Sequence, residues 1–153
     1  MQKITPFLWF DNNAEEALTL YTSIFKNSKV KNISRMGPDG PVITATFELE
    51  GQEFMVLNAG PMFKFTEAVS FFVKCKNQEE VDYFWTKFIE SGGEESKCGW
   101  LKDKFGLSWQ IIPDALGQLM GDKDPAKAQR VMQAMLKMGK IEVKLLQDAY
   151  EGK

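Results

Sequence analysis

Two stretches of the chain combine an asparagine, an acidic first turn and a regular apolar stripe. In each stretch the asparagine (Asn13 or Asn77) is followed three residues later by a glutamate (Glu16 or Glu80), the spacing of a capping box at a helix start. Apolar side chains then follow with the i, i+3, i+4, i+7 spacing of one helix face: Ala17, Leu20, Tyr21 and Ile24, and again Val81, Phe84, Trp85 and Phe88. The pattern predicts two amphipathic helices at an offset of 64 residues (77 − 13).

Short β-prone segments surround both predicted helices in the same order. The segment "ITPFLWF" (4–10), shifted by 64 residues, falls on "AVSFFVK" (68–74). After the first helix, strands are predicted at 30–36, 42–50 and 52–58, with turns at 36–41 and at Glu50-Gly51. After the second helix a loop, "ESGGEES", precedes strand segments at "KCGWLKD" and "LSWQII" (107–112). Matching Gly51 to Gly106 pairs the two final hairpins at an offset of 55 (106 − 51).

The shared order of strand, capped helix and hairpin favours an internal duplication over chance recurrence of a common helix pattern. We predict an α+β chain with two modules of the order β-α-β-β(-β), module one at 1–62 and module two at 63–113, within one domain spanning 1–153.

A helical tail is predicted at 114–153. Asp124 is a candidate N-cap for a helix with Pro125 at its first position, and Gly139 would end that helix. Met132, Met135 and Met138 would form a soft apolar stripe. The simpler interpretation is a helix packed on the domain or on a dimer partner; the alternative is a methionine-lined binding groove.

Composition and charge exclude several classes of function. The 153 residues are 44% hydrophobic and 26% charged, with a net charge of −2 and no basic run, so we expect no nucleic-acid partner. No apolar stretch approaches the roughly 20 residues of a membrane span, and "MQKITPFLWF" lacks signal-peptide features, so we expect a cytoplasmic protein and no membrane partner. Cys75 and Cys98 are expected to be reduced thiols, with a disulfide between them left open.

The sequence contains no histidine. This excludes nucleophiles activated by histidine, the histidine-based zinc motifs and the two-histidine-one-carboxylate iron site. Any catalysis would depend on other side chains, backbone groups or a cofactor, and we identify no catalytic residue from the sequence.

Several stretches resemble a known family: "PFLWFDNNAEEALTLYTSIF", "FMVLNAGP", "AVSFFVKC" and, most specifically, "CGWLKDKFGLSWQIIPDALGQLM". The chain resembles the PhnB-like, demethylubiquinone methyltransferase-like branch of the vicinal oxygen chelate superfamily, which also holds glyoxalases, bleomycin-resistance proteins and extradiol dioxygenases. The resemblance extends over essentially the whole chain, including "DKDPAKAQRVMQAML" in the tail. It implies two βαβββ modules that each curl a sheet around a cup, with helices outside and small molecules bound inside.

In metal-dependent members of the superfamily, the first and last strands of each module supply the metal ligands. The positions that this resemblance transfers are Pro6, Met55, Ser70 and Gln110. Proline has no ligand atom, methionine offers a thioether, and neutral oxygens are poor ligands for iron or zinc. The resemblance therefore predicts that the classical metal site is absent, and we expect no cofactor.

Period-two alternation predicts which other side chains face the cup. The predicted ligand-binding set is Leu8, Phe10, Met55, Leu57, Ser70, Phe72, Trp100, Ser108 and Gln110, and Ile112, Thr44, Thr46 and Glu48 share the same faces. The opposite faces would be core: Phe7, Trp9, Phe71, Val73, Trp109 and Ile111. A shift of one residue would exchange these two sets. The cup could bind a ligand or be filled as a second core.

Individual residues also leave alternatives open. Trp100 could stack on a planar ligand or close the rim of the cup, and Asn58 could contact a ligand or hold its own turn. Cys98 is expected to be inert because no histidine activates it. Glu48 and Glu53 are expected on a solvated strand face, although either could be a buried base.

Three functions follow from these expectations. The first is a binding or sequestering protein that holds a small planar or apolar molecule without a classical metal site. The second is an enzyme of the type that the family name suggests, transferring a methyl group to a quinone precursor. No glycine-rich strand–loop–helix is present to bind S-adenosylmethionine in the usual α/β manner. The third, a metal-dependent lyase or dioxygenase, is disfavoured by the transferred positions. The resemblance also implies a homodimer.

Overall fold

The computed structural model describes residues 2–153, which form two compact units, one ending at Lys64 and the other spanning Phe65–Lys153. Each unit contains a four-stranded mixed sheet with a helix packed on it, and the second unit also contains the helical tail. The chain is therefore α+β with two βαβββ modules, as predicted. No helix among the described residues is long and apolar enough to cross a membrane.

The first unit has the strand order β1-β4-β3-β2, with β1 parallel to β4 and the other neighbours antiparallel. Its elements are β1 (Phe7–Phe10), α1 (Ala14–Ile24), β2 (Ser28–Arg35), β3 (Val42–Leu49) and β4 (Gln52–Asn58).

The second unit repeats this arrangement as β5-β8-β7-β6, again with its first and last strands parallel. Its elements are β5 (Ser70–Cys75), α2 (Gln78–Glu90), β6 (Glu94–Glu95), β7 (Trp100–Lys102) and β8 (Ser108–Pro113), followed by α3 (Asp114–Met120), α4 (Pro125–Met135) and α5 (Val143–Tyr150). The two-residue strand β6 lies in "ESGGEES", where the sequence predicted only a loop.

The first backbone N–H groups of α1 and α2 donate to different kinds of partner. Asn77 accepts a hydrogen bond from the Glu80 backbone N–H, as predicted. At the first helix Asn13 makes no capping bond; the Ala14 N–H instead donates to Asn58 Oδ1 at 2.9 Å. The Asn58 amide also donates to the Val42 carbonyl at 3.0 Å. Asn58 thus connects β4 to α1 and β3 rather than holding its own turn, because the end of β4 lies beside the helix start.

The helix stripes pack on one face of each sheet. All four predicted residues of α2 are buried, and Phe88 lies 4.9 Å from the Trp109 ring. In α1, Leu18 is buried whereas the predicted Leu20 is half-buried. We call the face covered by the helix the covered face of each sheet, and the opposite side its open face.

The prediction for β1 was wrong by one residue. Phe7 pairs with Met55, so Phe7 shares the open face with Met55, while Leu8 and Phe10 lie on the covered face and are 6% and 2% exposed. Trp9, predicted as core, accordingly lies on the open face beside Leu57.

The error comes from the loop between the first strand and the helix. Phe7 and Phe72 pair with Met55 and Gln110 respectively, so the strands are offset by 65 residues (72 − 7) whereas the caps are offset by 64 (77 − 13). The first unit accommodates its additional residue with Asn12 in a left-handed conformation, at φ 63°. Because side chains alternate along a strand, one extra residue exchanges the two faces.

Candidate functional site

The open face of the second sheet presents side chains in three rows across β5, β8 and β7. Strand pairing places Ser70, Ser108 and Lys102 in the first row, and Phe72, Gln110 and Trp100 in the middle row. Lys74 and Ile112 form the third row. Side chains in one row are lateral neighbours, so in the middle row one aromatic ring lies on each side of the Gln110 amide.

The middle row is open to solvent on its aromatic side. Phe72 is 57% exposed, and Trp100 and Gln110 are half-buried. The Gln110 amide donates to Ser70 Oγ at 2.9 Å, which orients the amide and leaves its second N–H and its Oε1 available. The predicted site residues Phe72, Trp100, Ser70 and Gln110 therefore lie together.

The helical tail closes one end of this open face. Ile112 of the third row belongs to a buried cluster whose other members lie in the tail: Leu116, Val131, Met138, Ile141 and Leu146. The tail therefore packs against the third row of the sheet and leaves the middle row uncovered. This confirms a tail helix packed on the domain.

A cavity of about 800 Å³ lies between the middle row and the tail. Its sheet side is formed by Phe72, Lys74, Trp100, Gln110 and Ile112, with Cys98 and Pro113 beside them. Its tail side is formed by Asp114, Leu116, Gly117, Gln118 and Met120 of α3, and by Met135 of α4. The volume and the largely apolar lining with a few polar groups are those of a small-molecule pocket.

Trp100 is held at the cavity by an unusual turn. Cys98 and Gly99 both have left-handed backbone, at φ 58° and 83°. Their N–H groups donate to the Met138 and Gly139 carbonyls, each at 2.8 Å, and the Gly99 carbonyl accepts from Ile111 at 2.7 Å. The turn therefore joins the tail, β7 and β8.

Two charged side chains line the cavity, Lys74 on β5 and Asp114 at the start of α3. Asp114 lies at the positive end of the α3 backbone. It also contributes, after burial and after Glu80, to the environment that raises the pKa of the Cys75 thiol to about 12. Cys75 is a buried free thiol beneath the sheet and takes no part in the cavity.

Ser108 differs from its neighbours in the rows. Its side chain is fully buried, and its Oγ has no hydrogen-bond partner among residues 2–153. It lies in the first row, outside the cavity lining. The structure therefore places Ser108 on the predicted face but not at the cavity surface.

The remaining predicted residues lie in the first unit. Met55 and Leu57 are half-buried on its open face, together with Phe7 and Trp9. The Trp9 ring contacts Phe63 at 4.8 Å, and its indole N–H donates to the Gly60 carbonyl. Leu8 and Phe10, also predicted to bind ligand, are instead core residues on the covered face, because the extra residue before α1 exchanges the two faces of β1.

The candidate bases of the first unit are ion-paired. Lys31 contacts Glu53 at 2.9 Å and Glu48 at 3.3 Å. The hydrogen bond from Lys31 is the main cause that lowers the pKa of the Glu53 carboxyl. A lowered pKa makes Glu53 a weaker base, which supports the solvated strand face over a buried catalytic base.

The lining residues that the sequence did not predict are Lys74, Pro113 and the α3 residues. Lys74 carried a usable signal, because it follows Ser70 and Phe72 at a spacing of two on the same strand. The α3 residues carried none, because their contribution depends on how the tail returns to the sheet. Met135 belonged to the methionine stripe, for which a binding groove was the alternative interpretation. In the structure Met138 lies in the buried cluster, while Met135 packs against that cluster and also lines the cavity.

The positions that correspond to superfamily metal ligands do not fit a metal. They are Pro6 and Met55 in the first unit and Ser70 and Gln110 in the second. Proline has no ligand atom, and a thioether, a hydroxyl and a neutral amide are not the ligand set of a divalent metal site. Within residues 2–153, no three side chains of His, Cys, Asp or Glu cluster in a way that could hold an ion.

Comparisons with solved structures define the class of fold. Protein PA1353 from Pseudomonas aeruginosa is 18% identical and matches over 71% of this chain and 95% of its own, with a TM-score of 0.61. A variant of the fosfomycin resistance protein FosX from Listeria monocytogenes, complexed with Mn(II) and 1S,2S-dihydroxypropylphosphonic acid, is 15% identical over 77% of this chain and 98% of its own, with a TM-score of 0.59. These similarities show a fold of the glyoxalase/bleomycin-resistance type.

The sequence comparisons identify the family. Residues 2–112 match the family described as 3-demethylubiquinone-9 3-methyltransferase. A Bacillus cereus protein described as "Putative 3-demethylubiquinone-9 3-methyltransferase, PhnB protein" is 40% identical over 73% of this chain and 99% of its own, with a TM-score of 0.67. The chain therefore belongs to this PhnB-like family of the vicinal oxygen chelate superfamily. The family match ends at residue 112, before the tail. A search of curated proteins found no match.

Proposed function

We propose that the protein binds a small planar, largely apolar molecule in the cavity of the second unit, without a classical metal site. The observation that carries the proposal is the middle row, in which Phe72 and Trp100 stand on either side of the Gln110 amide at the wall of an 800 Å³ cavity. Pockets of this size commonly enclose small ligands, with a few polar groups fixing their orientation.

The exposure of Phe72 supports this proposal energetically. A phenylalanine side chain offers roughly 200 Å² for burial, so 57% exposure leaves about 110 Å² of Phe72 in water. At about 25 cal/mol per Å², covering that surface would contribute about 3 kcal/mol to binding. A flat ligand against Phe72 would recover this free energy, whereas a filled second core would already have buried the ring.

Methyl transfer, which the family description suggests, is the second candidate. The strand-to-helix connections are "DNN" (11–13) and "KN" (76–77), and neither is the glycine-rich loop that binds a nucleotide-like cofactor at a helix start. Isothermal titration with S-adenosylmethionine separates the candidates: we expect no saturable heat, and one-to-one binding would favour the methyltransferase.

A lyase or dioxygenase that depends on a metal is the least supported candidate, because the corresponding positions lack carboxylate and imidazole ligands. Metal analysis of the protein as purified tests this, and a stoichiometric transition metal would revive it. We further propose a homodimer, which native mass spectrometry would report as a species of twice the 17.4 kDa chain mass.

The binding function is tested with N-phenyl-1-naphthylamine, a neutral planar dye whose fluorescence rises in apolar sites. We expect saturable binding that Phe72→Ala and Trp100→Ala each weaken about fivefold or more, the magnitude of one lost aromatic stack. Phe7→Ala is the matched control, because Phe7 occupies the equivalent position in the first unit and is 50% exposed. Equal losses in the Phe7 and Phe72 variants, or no saturable binding, would refute the proposal.

A further inference from the structure

We propose that the cavity selects planar aromatic monoanions, such as an aryl carboxylate, with the ring between Phe72 and Trp100 and the anionic group at Lys74. This inference rests on the binding function proposed above and names the chemical class of its ligand.

The spacing of the middle row suits a single inserted ring. Phe72 and Trp100 lie on β5 and β7, with β8 and its Gln110 between them. Two strand intervals separate their backbones by roughly 9.6 Å. One ring stacked between two others needs about 7 Å between them and two rings need about 10.5 Å, so this spacing admits a single ring once the flanking side chains lean toward it. A bulky non-planar group would not fill the same slot.

Gln110 forms the floor of that slot. Its amide is oriented by the 2.9 Å hydrogen bond to Ser70. The carbonyl oxygen that remains available is complementary to the positively polarised edge of an aromatic ring. A ring standing on edge over Gln110, with its faces against Phe72 and Trp100, therefore meets favourable contacts on three sides.

Lys74 supplies the charge. It follows Phe72 by two residues on the same face, which places its backbone roughly 7 Å further along β5, toward the tail. No carboxylate of residues 2–153 lies within 4.0 Å of its ammonium. The other lysine of this face, Lys102, is paired with Glu67 at 2.5 Å. Lys74 is therefore the cation of the open face that remains available to an anion.

Asp114 determines the orientation of such a ligand. It lies on the tail side of the cavity, at the start of α3, and it repels an anionic group placed there. The single free ammonium and the opposing carboxylate favour a monoanion directed toward β5. A dianion such as a phosphate monoester would bring one negative charge without a partner.

The test uses three probes in calorimetric titrations of the full chain: 1-naphthoate, its neutral analogue 1-naphthamide, and cyclohexanecarboxylate, an anion without an aromatic plane. We expect naphthoate to bind about two- to fivefold more tightly than naphthamide, the range of an exposed charge contact, and more tightly than cyclohexanecarboxylate. Lys74→Met should remove the preference for naphthoate over naphthamide, whereas Lys74→Arg should retain that preference. Lys76→Met, which changes an exposed lysine outside the cavity lining, is the matched control and should have no effect.

The outcomes separate this inference from the function on which it rests. Suppose that Trp100→Ala abolishes binding but that the parent chain binds naphthoate and naphthamide equally well. This result would overturn the aromatic-anion inference and leave the proposed binding function standing. Equal affinities for naphthoate and cyclohexanecarboxylate would overturn the stacked-ring arrangement. If Trp100→Ala weakens the binding of none of the three probes, both the aromatic-anion inference and the proposed binding function are overturned.

Discussion

Gly99 is the residue at which substitution should distinguish steric packing from backbone strain. It has a φ of 83°, and a Cβ built on it would lie 2.6 Å from Ile112 Cδ1 and 3.0 Å from Ile141 Cγ1. Both isoleucines belong to the buried cluster between sheet and tail. Gly99→Ala must therefore accept a left-handed backbone and also displace core side chains.

The expected cost has two parts. A left-handed conformation costs alanine about 1 kcal/mol more than glycine. Overpacking of a well-packed core adds about 1 to 3 kcal/mol. We expect Gly99→Ala to lower the free energy of unfolding by about 2 to 4 kcal/mol, measured by urea titration followed through tryptophan fluorescence.

Gly106→Ala is the matched control. Gly106 has a φ of 89°, but nothing lies within 4 Å of a Cβ built on it. Its substitution should therefore cost only the backbone part, about 1 kcal/mol. Equal costs at the two glycines would refute the packing contribution. As a second readout, Gly99→Ala should weaken dye binding, because the same turn positions Trp100.

Two further predictions concern buried groups of the second unit. Asp103 is 3% exposed and accepts hydrogen bonds from the Phe105 and Leu107 N–H groups and from the Trp109 indole. Asp103→Ala should therefore lower the free energy of unfolding, measured by urea titration, by about 3 to 5 kcal/mol. A decrease below about 1 kcal/mol would contradict this role. Cys75 should make stability depend on alkaline pH, because burial raises the pKa of its thiol from 9.0 to about 12. Between those values the folded state retains a proton that the unfolded state has lost, so stability falls as pH rises through this window. Unfolding titrations at pH 8 and 10 should show a smaller decrease for Cys75→Ala than for the parent chain, and equal decreases would exclude this contribution.

The candidate site shows where sequence-based prediction succeeds and where it stops. On β5 and β8 the faces were assigned correctly, because alternation was applied directly to each strand, and this placed Phe72 and Gln110 on one open face. Trp100 followed because β7 is the neighbour of β8. Lys74 was predictable by the same alternation, because it follows Phe72 by two residues on β5.

The cavity itself was not predictable from local patterns. Its tail side depends on the hydrogen bonds of Cys98 and Gly99 to the carbonyls of Met138 and Gly139, about 40 residues further along the chain. Contacts of that separation leave no periodic trace in the sequence, because each segment satisfies its own helix or strand pattern whatever it packs against.

The order of the main helices and strands and their repetition could be predicted from the sequence, because caps, turns and apolar periodicity act over a few residues. The face of β1 and the cap of α1 could not, because both depend on contacts between distant parts of the chain. The repeated helix caps matched at 64 residues and the strands at 65, and the left-handed Asn12 absorbs the difference. Since strand side chains alternate with a period of two, that one residue sends Leu8 and Phe10 into the core and presents Phe7 and Trp9 on the open face.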